Sequence, residues 1–248
     1  GDRRSRRAGR APVQANPGES SNWGTAISVS SLLVRTTGWS LRLTVNTHHT
    51  ENKLMKISNA LARQNEENMR DKGVAPKLQL REGESMDAIY AVDSWGINPA
   101  NGLEVFLKKD TKEPTYVYDV KDMVALGDTK PWFEGSSSLS AAWRDISVGM
   151  AFSYTFGGYI YNSTRAAKVE NIDITKNVDV RAYTERWVKP GDVVAYPKGE
   201  YEQQRFVKSA RFVEKKNEVY LSSVSISYNL PQTWVRGIGL KRLTVGVT

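Results

Sequence analysis

The 248-residue chain carries a formal net charge of +8, two histidines and no cysteine, and 10% of it is aromatic. That length admits one domain or two, and the missing cysteine excludes disulfides, thiolate metal sites and thiol catalysis together. No apolar run approaches the roughly 18 residues of a membrane-spanning helix, and the amino terminus lacks the apolar core of a signal peptide.

In chain order, residues 1–22 come first, with Arg3, Arg4, Arg6, Arg7 and Arg10 against Asp2 and Glu19, so +3 of the +8 sits here. Pro12, Pro17 and three glycines, with almost no apolar residue, predict a disordered basic leader. No recognition helix, zinc finger or aromatic RNA-binding pattern follows it, so nucleic acid is not an expected partner.

From Trp23 onward the dominant period is two. In 145–156, Ile146, Val148, Met150, Phe152, Tyr154 and Phe156 share one face, and Ser147, Gly149, Ala151, Ser153 and Thr155 share the other. Alternation of this length predicts a strand whose faces meet different environments. The small polar face suits a crowded or water-filled interior, and the apolar face suits core or lipid. The same pattern recurs in 39–47, in 220–230 and at 241–248, with weaker candidates at 23–34, 87–97, 103–108 and 132–142. Helix formers predict one helix, around 57–70.

Connections alternate in length. Arg35–Gly38 and Ala142–Asp145 are short, and Asn98–Gly102 has the composition of a tight turn. The excursion after Thr47, the segment 109–131 and above all 157–218 are long. Short turns on one side and long loops on the other are the plan of a transmembrane β-barrel. Trp23, Trp39, Trp132, Trp143 and Trp234 lie at candidate strand ends, where interfacial girdles or caps on a soluble core would both place them.

Several motifs run together in 154–192: Phe156-Gly157-Gly158, Tyr161-Asn162, Val169-Glu170-Asn171-Ile172-Asp173, Asn177-Val178-Asp179 and Arg186-Trp187-Val188-Lys189-Pro190-Gly191-Asp192. The stretch resembles the carboxyl-terminal region of the SusC/RagA family of TonB-linked outer-membrane transporters. Gly96–Gly102 before Phe106–Asp110, Gly127–Pro131 and Leu221–Pro231 resemble further segments of that family, and the likeness covers about 23–248. It implies an all-β fold: antiparallel strands from the C-terminal part of a transmembrane barrel with long extracellular loops. The family barrel is implied to have about 22 strands, an internal plug and a TonB-contacting segment. No plug is present, and about eight strands make an incomplete barrel, so 23–248 reads as a C-terminal segment of a larger receptor, and the missing signal peptide as an absent front. The parent is implied to sit in the bacterial outer membrane, to take up glycan or peptide, and to work with TonB and a SusD-like surface lipoprotein.

Enzymatic chemistry finds no support. A hydrolytic triad would need His48 or His49, which read as a solvated strand end, and adjacent strand residues point to opposite faces and chelate poorly together. Asp119 and Asp122 lack a calcium-loop pattern, and no cofactor is expected. Gly157-Gly158 reads as a break where a strand ends. Trp187, Tyr196 and Tyr201 could stack on sugar faces in a parent transporter, or pack to keep their loop ordered. The alternative for the whole chain is a soluble, non-catalytic β-domain that binds glycan or protein through its long loops.

Overall fold

The computed structural model describes residues 18–172, 177–199, 207–237 and 239–248. Eleven strands are present among them: β1 (Gly18–Arg35), β2 (Trp39–Ile57), β3 (Ala88–Val92), β4 (Ser94–Ile97), β5 (Glu104–Leu107), β6 (Pro114–Thr115), β7 (Met123–Asp128), β8 (Phe133–Trp143), β9 (Ile146–Tyr161), β10 (Val213–Asn229) and β11 (Thr244–Val247). Six form one antiparallel sheet in the order β1-β2-β8-β9-β10-β11, with β1 and β11 at its edges. The expected incomplete antiparallel barrel wall is therefore present as an open sheet.

Three connections join sheet strands at one end: the turn 36–38, the two-residue turn Arg144–Asp145, and the segment 230–243 with its short helix Gln232–Gly237. At the other end two long insertions leave the sheet, 58–132 between β2 and β8 and 162–212 between β9 and β10. Sorting by loop length is as the sequence predicts, but the strands counted into it are not. Segments 87–97 and 103–108 do not join the main sheet. They form β3, which pairs with β7, and β4 and β5, which pair with each other and with β6, all inside the first insertion. Their runs are only 4–5 residues long, too short to match neighbours of 11–19 residues.

Strand β1 begins at Gly18, inside the segment predicted to be an unstructured leader. Gly18–Asn22 pair with Ile57–Asn52 because β2 runs on past His49 and offers its backbone edge. The ladder needs no apolar side chains there; residues 1–17 lie outside the described residues. The expected helix is α1 (Asn59–Met69), started by Ser58, whose side chain accepts from the Leu61 amide at 3.3 Å.

The core sits in the insertions rather than under the sheet. Tyr90, Val92, Phe106, Met123 and Val207 form one buried cluster. A second comprises Ala166, Val169, Ala182, Tyr196 and Phe212. The Tyr161 hydroxyl donates to the Val74 carbonyl at 3.0 Å and ties the second insertion's base to the first.

Candidate functional site

Strand register extends the two faces of β9 across the whole sheet. Leu43, Leu139, Met150 and Val224 form one row from β2 to β10, and Leu41, Ala141, Val148, Ile226 and Val247 the next. On the opposite face Thr44, Ser138, Ala151 and Ser223 align, with Asn46, Ser136 and Ser153 beside them. Hydroxyl and amide pairs link this polar face across strands. The Ser28 hydroxyl donates to Asn46 Oδ1 at 2.6 Å, and Ser30 and Thr44 share a bond of 3.0 Å, as do Ser153 and Ser222 at 2.7 Å. The apolar face is open, with Ile27 61% and Val247 71% exposed, a contiguous patch of the kind that marks an interaction surface.

Aromatic rings bound the apolar face at both ends. At the short-turn end Trp39 and Trp143 stack with centroids 5.7 Å apart. At the other end Trp23 packs on His49 at 5.3 Å, and Phe133 packs on Trp132, Tyr154 and Phe156 at 5.2–6.4 Å. Strand β8 carries 11 residues from Phe133 to Trp143, so the two rims lie about 33 Å apart along the strand.

The motif residues of 157–192 knit the insertions together. Gly157 has φ +82°, and a Cβ there would lie 2.6 Å from Trp132 Cβ. Phe156 and Gly157 stand opposite the single residue Asn217, whose side chain accepts from the Gly157 amide at 2.9 Å. The glycines thus make a β-bulge within β9, which runs on to Tyr161, rather than the strand end read from the sequence. Gly158 is buried against Thr129 and Pro131. Asn162 caps the turn Ser163–Arg165, accepting from the Arg165 amide at 2.9 Å and donating to Glu214 at 3.1 Å. Asn171 donates to the Ala166 carbonyl at 2.9 Å. Arg186 donates to the carbonyls of Ala182, Pro197, Val169 and Glu170 at 2.8–3.3 Å.

Trp187 locks this loop onto the turn 98–102. Its indole N–H donates to the Pro99 carbonyl at 2.9 Å, as does the Gly191 amide. Its ring covers Gly102, where a Cβ would lie 2.4 Å away and the backbone holds φ +69°. Gly102→Ala therefore combines backbone strain with a clash. It is expected to destabilise the folded chain by on the order of 1–3 kcal/mol, measured by denaturant unfolding; an unchanged midpoint would contradict this packing.

Pro190 is exposed in the turn that Asp192 closes, its carboxylate accepting from the Val188 and Lys189 amides at 3.1 and 2.8 Å. Those amide bonds hold the Asp192 pKa below its ordinary value. Asn177 is exposed and outside regular structure. Tyr196 is fully buried, its hydroxyl accepting from Arg165 Nε at 3.0 Å, so its ring has no free face for a ligand. Trp187 is half-buried in its packing contact. Asp173 and Tyr201 lie outside the described residues.

Asp179 grips Arg181 through both carboxylate oxygens, at 2.7 and 2.9 Å, and also accepts from the Arg181 amide at 2.9 Å. The Arg181 side chain, then its amide, lowers the Asp179 pKa to about 2. The stabilisation is complete above the ordinary value of 3.8 and is lost as pH falls through about 2. A carboxyl titration followed by NMR is expected to place Asp179 near 2, and a value near 3.8 would show that the pair is absent in solution.

Behind these motifs lies an ion cluster that local sequence reasoning missed. The Arg211 guanidinium joins the Glu104 and Glu170 carboxylates at 2.7 and 2.6 Å, with Glu104 and Glu170 almost wholly buried. It also donates to the Ala195 carbonyl at 2.8 Å, and Ser209 bonds to Glu104. Burial opposes the charge on Arg211, but the two carboxylates outweigh it and leave the pKa above the ordinary arginine value. Lys208, with its ammonium 2.7 Å from the Asp71 carbonyl, is driven below its ordinary pKa by burial, partly offset by Asp71. The available signal was a single charge inside an apolar run, Glu104 in Leu103–Leu107 and Arg211 beside Phe212 and Val213.

The histidines diverge, as adjacent strand residues do. His48 meets Glu134 at 3.0 Å on the polar face, and His49 bonds the Trp132 carbonyl on the apolar face with Glu51 at 3.5 Å. Asp119 caps a turn through the Lys121 amide, and Asp122 accepts from the Lys109 amide, at 2.9 and 3.0 Å. Among the described residues no group of three His, Asp or Glu side chains is arranged to hold a metal ion.

No family model and no curated protein matches the sequence. Solved structures do match. The "RagAB peptide transporter" aligns over 92% of this chain at TM-score 0.71 and 15% identity. The "RagAB peptide importer in the 'closed-closed' state" covers 93% at 0.75 and 17%, and the 'open-open' state 92% at 0.72 and 16%. The chain has the fold of part of a RagAB transporter chain. It spans about a quarter of the length of those chains, 25–26%. The expected likeness to a SusC/RagA-type chain is borne out in the fold, with an antiparallel sheet that does not close into a barrel.

Proposed function

We propose that this chain is a wall segment of a TonB-linked outer-membrane transporter of the SusC/RagA type, with no enzymatic activity of its own. The two-faced six-stranded sheet carries the proposal, because its fold coincides with that of transporter chains. Its rims, about 33 Å apart along a strand, project to about 25 Å when strands tilt by about 40°, the height of the apolar band of outer-membrane barrels. In this reading the apolar face meets lipid, the serine-rich face meets a water-filled interior, and the knitted insertions stand outside the membrane. The parent takes up peptide or glycan through that interior, with a SusD-like surface lipoprotein seated over the insertions and TonB supplying energy. Fold alone does not fix function, and it is the open apolar face that favours the membrane over the soluble β-domain reading.

The refolded chain is expected to float with lipid vesicles in a density gradient and to need detergent to stay monodisperse. A monodisperse folded monomer free of detergent would overturn the proposal in favour of the soluble domain.

A further inference from the structure

Two adjoining cavities interrupt the outer aromatic rim. One, of 690 Å³, lies on the apolar face and is lined by Ile27, Val45, His49, Trp132, Phe133, Tyr154 and Phe156 among others. The other, of 500 Å³, shares His49 and Trp132 with the first and is lined by Lys53, Lys130, Glu51 and Asp128. The two follow each other along one face of β2. Val45, Thr47 and His49 border the first, and His49, Glu51 and Lys53 the second. From Thr47 to Lys53 is about 20 Å of strand.

Their chemistry changes at the shared wall. The first is an open groove whose walls are mainly aliphatic and aromatic, with Thr25, Thr47, His48 and Ser137 also bordering it. The second is bordered by two lysines and two acidic residues, of which Asp128 also accepts from the Lys130 amide at 2.8 Å. Among the described residues neither Lys53 nor Lys130 has an ion-pair partner. Glu51 accepts from the Trp23 indole at 3.1 Å and keeps a second oxygen near His49. Balanced charges beside an apolar slot are complementary to a zwitterionic headgroup joined to an acyl chain.

We propose that the paired cavities bind one phosphoethanolamine-type lipid. Its acyl chain occupies the apolar cavity beside Trp132, its phosphate lies against Lys53 and Lys130, and its amine faces Glu51 and Asp128. The inference rests on the membrane reading above, because the slot opens onto the face assigned to lipid.

The full chain in maltoside micelles, titrated with traces of dibrominated phosphatidylethanolamine, provides the test through tryptophan quenching. Quenching is expected at low lipid fraction, about tenfold tighter than with dibrominated diacylglycerol. Trp132→Phe should remove most of the quenching, and Trp143→Phe at the opposite rim should leave it. Lys53→Gln with Lys130→Gln should bring phosphatidylethanolamine down to the diacylglycerol level. Equal quenching by both lipids, or no effect of the lysine pair, overturns the lipid site and leaves the membrane reading intact. Full competition by soluble glycerophosphoethanolamine would also overturn it, by reassigning the site to a free headgroup. A chain that stays outside micelles and is quenched by neither lipid overturns both.

Discussion

Met150→Arg is expected to lower the stability of the bilayer-inserted chain by about 2–4 kcal/mol, whereas Ser138→Arg is expected to change it by less than about 1 kcal/mol. Both residues lie midway between the aromatic rims, Met150 in the row with Leu43, Leu139 and Val224, and Ser138 between Thr44 and Ala151 on the other side of the sheet. An arginine at the lipid-facing midplane must desolvate its charge or deform the bilayer, while one facing a wet interior keeps its water. Guanidinium unfolding in vesicles reads both effects. Equal costs on the two faces would mean that the faces do not meet different solvents.

Arg211→Met is expected to destabilise the insertions by about 3–5 kcal/mol, because both buried carboxylates lose the cation they share. Replacing all three charges together, with Glu104→Gln, Arg211→Met and Glu170→Gln, is expected to recover most of that loss. A buried ion cluster owes much of its apparent strength to the penalty of breaking it. Thermal unfolding of the single and triple variants measures the difference. A triple variant no more stable than Arg211→Met would show that the cluster contributes through packing instead.

Much of the sheet was legible because two-faced strands announce themselves by alternation. The register places Ile146 to Phe156 on one face as the period of two predicts, and it extends that face to Leu43, Leu139 and Val224. Helix α1 was legible from its composition, and Ser58 supplies its cap. Periodicity does not encode partners, so the short strands at 87–97 and 103–108 looked like wall strands although they pair within an insertion. The extension of β2 beyond His49 was hidden for the opposite reason. Its sequence there is mostly polar, and it is held extended by backbone pairing with Gly18–Asn22 and by buried Leu54, whose backbone bonds Gly83 and Glu84 at 2.7 and 3.0 Å. Among the motif residues, Gly102 under Trp187 and Asp192 in its turn each serve loop geometry. Arg211 meets Glu104 across 107 positions, and no local pattern points from one to the other.

The central claim, that one face of this sheet meets lipid and the other water, is tested most directly along β9. The chain has no native cysteine, so single cysteines at successive positions from Ile146 to Phe156 each carry one environment-sensitive fluorophore in vesicles. Blue-shifted emission quenched by lipid-borne spin labels is expected at 146, 148, 150, 152, 154 and 156, and water-like emission at the positions between them. Emission that does not alternate, or that alternates without any lipid quenching, would contradict the account.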